Sequence, residues 1–100
     1  MEPKRIIIVF IKWLQNNPDI FLPEAWQELP DLNENLAFCD DDELFPIAHT
    51  LSKWCAKHQL GDKLKQAALQ VDVNESHAKN YLQLLQQNIQ KRYNAFLTSS

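Results

Sequence analysis

The densest apolar stretch in this chain runs from Ile6 to Leu14, broken only by Lys12. Pro3 suits the first turn of a helix, so the run predicts a helix from Lys4 to about Asn16 with almost no polar face. A helix this apolar must be covered on several sides, by the rest of the domain or by a second copy. Its β-branched content leaves a strand as the competing reading over residues 6–11. A strand would need a partner, and only Leu36–Cys39 or Leu69–Val73 offers one. Asn16-Asn17-Pro18 ends the element in either case.

Residues 17–41 read as a connection punctuated by Pro18, Pro23 and Pro30, with one short helix over Pro23–Leu29. Phe21, Leu22, Trp26, Leu29 and Leu32 are too many large apolar groups for a free linker, and they are expected to pack over the core as a lid. Helical spacing returns from Asp42 to about Gln59, where Leu44, Ile47, Ala48, Leu51, Trp54, Cys55 and His58 share a face. Pro46 places the start of this helix near Glu43. Gly61 is expected as its left-handed cap, and Asp62 as the N-cap of a short helix over 63–71. Asn74 would cap a last helix from Glu75 to Phe96, roughly 33 Å long. Thr98-Ser99-Ser100 is expected to fray.

Composition adds a class. One glycine in 100 residues, with Leu, Gln, Ala, Lys and Glu prominent, leaves few ways to turn a hairpin. The expectation is an all-α single domain over residues 1–100, a compact bundle of four or five helices. Forty-five per cent apolar residues suffice to fill its core. The Ile6–Ile11 run is too short for the roughly 20 residues that span a bilayer, and no cleavage site follows it. No membrane association is expected. Two isolated cysteines and no signal segment point to a reduced, cytoplasmic setting.

The net charge of −3 is unevenly spread. Residues 1–61 carry five basic and ten acidic side chains, residues 62–100 five basic and three acidic. Between Trp13 and Ser52 there are nine acids and no lysine or arginine. That segment would repel a polyanion. Its densest point, Asp40-Asp41-Asp42-Glu43, sits where carboxylates can cap the free N–H groups of the next helix. Three consecutive aspartates exceed that need, which makes these four residues a candidate contact for a protein partner. A calcium loop is not expected, since its alternating spacing and glycine are missing.

The window Ala67–Leu82, AALQVDVNESHAKNYL, resembles the helix-turn-helix units of DNA-binding domains. Ala67 and Ala68 stand at the close-crossing positions, Val71 and Val73 flank the turn, and Asp72 takes the usual glycine position. Asn74 caps the second helix, and Ala78, Tyr81 and Leu82 return to the core. The resemblance implies that Ser76, His77, Lys79, Asn80 and Gln83 face a DNA groove, while Lys63, Lys65, Lys91 and Arg92 contact phosphates. Against it stand Glu75 near the leading end and a thin basic patch.

Other chemistry is weakly supported. Cys55 and His58 share a helix face at zinc-ligand spacing, but the other two ligands would have to come from Cys39 and His49, and His49 lies on another face, so no metal site is expected. Asp72, Ser76 and His77 diverge around a helix and cannot form a nucleophile–base pair. One glycine cannot build a phosphate loop. The sequence therefore points to a small regulatory or adaptor module acting by protein recognition, without catalysis or cofactor. DNA binding is the alternative, and a homodimer through the first or last helix is a further expectation.

Overall fold

The computed structural model describes residues 3–16, 18–40, 43–71 and 81–98. These form six α-helices and one 3₁₀ turn, with no strand among the described residues. The helices are α1 (Pro3–Asn16), α2 (Pro23–Gln27), α3 (Leu29–Leu36), α4 (Leu44–Lys57), α5 (Gly61–Gln70) and α6 (Tyr81–Thr98), with the 3₁₀ turn at Pro18–Ile20. A radius of gyration of 12.5 Å matches the roughly 13 Å of a compact chain this long. No helix among the described residues is long and apolar enough to cross a membrane.

The strand alternative for residues 6–11 is resolved in favour of helix. Ile7, Ile8, Val9, Phe10, Ile11, Trp13 and Leu14 are all buried, because α4, α5 and α6 pack around α1. Most of the apolar surplus of the first helix is thus buried inside one chain. Long-range covering outweighs the β-branched preference of its isoleucines.

Residues 29–36 depart from the expected connection: they form α3, a helix of the core. Leu29, Leu32 and Leu36 are fully buried at helical spacing, and α3 packs against both α4 and α6. Pro30 starts this helix instead of interrupting chain order, because a first-turn residue has no intrahelical N–H bond to lose. Phe21 joins the core as well. Its ring lies 5.6 Å from Phe10, 5.9 Å from Trp54 and 5.9 Å from Trp26, and Trp26 stacks on Phe96 of α6 at 5.6 Å. The acidic segment is therefore a structural layer, not a lid.

Two expected caps are corrected. Gly61 is the first residue of α5 and does not have positive φ; the left-handed residue closing α4 is Gln59, at φ 63°. Leu60 N–H donates to Cys55 C=O at 2.7 Å across this turn, and the Leu60 side chain is buried. Burying Leu60 requires the chain to reverse at residue 59, wherever the glycine is. The N-cap of α5 is Leu60, and Asp62 lies within the first turn. The expected cap Asn74 lies outside the described residues.

Neither α1 nor α5 has a basic residue in its last turn, and an arginine from another helix serves each. Arg92 of α6 donates through Nε to Leu14 C=O and through a terminal nitrogen to Gln15 C=O at 2.6 Å. Arg5 of α1 donates to the Ala68 and Val71 carbonyls at 3.3 and 3.2 Å. Cations at helix C-termini satisfy orphan carbonyls and oppose the helix dipole.

Candidate functional site

Two features stand out on the acidic side, the α3–α4 connection and the groove below it. The connection leaves α3 through a tight turn in which Ala37, Phe38 and Cys39 N–H groups donate back to carbonyls of residues 33–36. Cys39 Sγ lies 4.0 Å from Thr50 Oγ1, which holds this turn against α4. Glu43 N–H then donates to Asp40 C=O at 3.2 Å just before α4 begins.

The carboxylates were expected to cap α4, yet Glu43 occupies the N-cap without any side-chain hydrogen bond. Asp40 and Glu43 are exposed, and Asp41 and Asp42 lie outside the described residues. On either side stand the two most exposed large apolar residues described, Phe38 at 85 % and Phe45 at 73 %. Phe38 falls beyond Leu36, the last buried residue of α3, so no helical spacing marks it in the sequence.

The groove lies between α3 and α4 and encloses about 740 Å³. Its α3 wall carries Glu28, Asp31 and Glu34, and its α4 wall His49, Lys53 and Lys57, over a floor that includes Leu32 and Trp54. One end is closed by Lys57 Nζ on Glu28 Oε1 at 2.6 Å. The hydrogen bond and charge of Lys57 hold the Glu28 carboxyl below its ordinary range, and Glu28 in turn pushes Lys57 up. His58 Nε2 lies 3.1 Å from Glu28 Oε2, close enough for an ion pair, but its N–H is not aligned as a hydrogen bond. The His58 ring is 7 % exposed and packs on Trp54 at 4.4 Å. The three-residue spacing of Glu28, Asp31 and Glu34 is the sequence signal for this wall, and Pro30 within it favours an irregular reading.

The helix-turn-helix candidates are only partly placed. Ser76, His77, Lys79 and Asn80 lie outside the described residues, as does the turn at Asp72. Ala68, Tyr81 and Leu82 are buried and Ala67 is half-buried. Lys63 and Lys65 are exposed on α5, and Gln83 and Lys91 on α6. Arg92 is half-buried and engaged with the end of α1, so its guanidinium is not a freely presented phosphate contact.

The thiols behave as packing groups. Cys55 is fully buried, and desolvation pushes its thiol up to about 12. No group of three or more His, Cys, Asp or Glu side chains is arranged for a metal ion among the described residues. Set against protein-family models, curated proteins and solved structures, the chain matches none.

Proposed function

We propose that this chain is a non-catalytic recognition module that engages a protein partner through the α3–α4 connection. The observation that carries the reading is the exposure of Phe38 and Phe45 on either side of the Asp40–Glu43 run. Aromatic side chains left in water beside a structured turn are the usual anchors of protein interfaces. The acids around them favour a partner whose apolar pocket is rimmed by lysine or arginine, speeding its approach and excluding acidic competitors. Phe38 sits on the hydrogen-bonded turn that closes α3 beside the Cys39–Thr50 contact, and Phe45 in the first turn of α4, so each is ordered before binding, which lowers its ordering cost.

The test compares affinity capture by the native chain, a Phe38→Ser/Phe45→Ser chain, and a chain with Asp40, Asp41 and Asp42 changed to Asn. A partner lost by the first variant, and weakened by the second or by salt, supports the reading. If both variants keep every partner of the native chain, the connection has no recognition role.

DNA binding is the alternative reading, and it draws on the exposed Lys63, Lys65, Gln83 and Lys91. A mixed duplex titrated at low and high salt decides it. Salt-dependent binding weakened by Lys79→Glu replaces the protein reading, and no binding at low salt removes the alternative.

A further inference from the structure

On the α5 side of α4 a second cleft, of about 440 Å³, opens between α4 and the start of α5. Small residues leave room for it. Ala56 and Gly61 meet where the two helices approach, and a Cβ added to Gly61 would find nothing nearer than Ala56 Cα at 3.6 Å. The rest of the floor is apolar, formed by half-buried Ile6 of α1 and buried Leu64 of α5. The volume falls within the roughly 300–1,000 Å³ usual for small-molecule sites.

The rim of this cleft is basic on a chain whose net charge is −3. Lys53 of α4 and Lys65 of α5 both line it, and Asp62 is the one acid among its lining residues. All three are exposed and make no side-chain hydrogen bond or ion pair among the described residues. Lysine stems lie readily along apolar surface while the ammonium stays in water. The occupant therefore needs an apolar body for the floor and an anionic head for the rim. A free phosphate would leave the floor in water, and a cationic amphiphile would meet two lysines. We infer that the cleft is a binding site for an aliphatic carboxylate of medium chain length, its tail on Ile6 and Leu64 and its carboxylate between Lys53 and Lys65. At about 30 Å³ for a group the size of a water molecule, eight to ten carbons take up roughly 240–300 Å³ and leave space for the head group and its hydration.

This site goes beyond the Phe38–Phe45 reading and does not depend on it: a Phe38→Ser/Phe45→Ser chain binds the carboxylate like the native one. Calorimetric titration of the full chain with octanoate, decanoate and decylammonium tests the inference, at about pH 8 so that His49 on the same rim adds little charge. Decanoate binds at one site with a dissociation constant below about 1 mM, and octanoate, two methylenes shorter, binds about fifteenfold more weakly. Decylammonium has the same tail and is favoured by the overall charge of the chain, yet it binds about tenfold more weakly than decanoate, because the local rim opposes it. Lys53→Glu/Lys65→Glu reverses that preference, and Ala56→Leu, which fills the cleft, weakens decanoate about tenfold or more. All three positions are exposed, and far-UV circular dichroism checks that the variants fold. The ligand series on the native chain decides the matter without them. Amide shifts in a ¹H–¹⁵N spectrum on adding decanoate centre on Ile6, Gly61 and Leu64. No decanoate binding at about 1 mM overturns the inference, as does decylammonium binding equally well. So do shifts centred on Phe38 and Phe45, or a folded Ala56→Leu chain that binds like the native one.

Discussion

Changing Arg92 to Met removes a guanidinium that joins the two ends of the chain, residues 77 and 78 positions apart, and keeps most of its apolar stem. In the native fold it satisfies the Leu14 and Gln15 carbonyls where α1 has no basic residue of its own. A hydrogen bond from a charged donor contributes about 1.5–3 kcal/mol when well shielded, and the helix dipole adds about 0.3–1 kcal/mol. Arg92 is half-buried and Gln15 is exposed, so water replaces part of what is lost. The expected net cost is about 2 kcal/mol, roughly an 8–15 °C fall in melting temperature for a domain of this size. Urea unfolding followed by fluorescence of Trp13, Trp26 and Trp54 measures it, with an unchanged slope expected because the core is intact. Arg92→Lys should recover about half, since one ammonium does not span both carbonyls as a planar fork does. A loss below about 0.5 kcal/mol for Arg92→Met would refute the cap and return Arg92 to the surface cations available for other partners.

Three further outcomes follow from the geometry. Glu28 has its carboxyl held below the ordinary 4.5, so the stability it contributes is complete above that pH and is lost as pH falls through the folded value. Glu28→Gln should therefore flatten the acid limb of a urea-midpoint profile below pH 4.5, and an unchanged limb would show that the Lys57 bridge does not couple to folding. Cys55, buried and with its thiol raised to about 12, should resist alkylation at pH 8 while half-buried Cys39 is modified first; mass spectrometry of the labelled peptides reads the order. Moving the glycine, Gln59→Gly with Gly61→Ala, should stabilise the fold by about 0.5–1.5 kcal/mol by relieving the left-handed Gln59 and stiffening α5. A Cβ at residue 61 meets Ala56 atoms no closer than 3.6 Å, so calorimetry showing a loss for Gly61→Ala alone would contradict that packing.

The local pattern of residues settled the class of this protein and the path of its most regular parts. One glycine, abundant helix formers and the 44–57 periodicity specify helices by short-range rules that hold wherever the segment sits. The same rules placed the buried face of α4, Ile47, Ala48, Leu51, Trp54 and Cys55, and set Leu85 and Ile89 inward on α6. What they could not assign were choices made by distant groups. Whether residues 6–11 are helix or strand depended on three helices arriving to cover α1. Residues 29–36 became a helix once Leu29, Leu32 and Leu36 had a core to fill, and Pro30 was compatible with that because its position needs no N–H. The turn after α4 took its left-handed residue at Gln59 because burial of Leu60 outweighed the convenience of a glycine two positions on. The candidate site divides in the same way. The acids at Asp40 and Glu43 are legible as a run, but the exposure of Phe38 and Phe45 beside them, and the facing of Glu28 by Lys57, exist only where α3 and α4 meet. Periodicity states which side chains share a face; tertiary packing decides which faces are covered, because burial is a property of the neighbours that reach a residue and not of the residue alone.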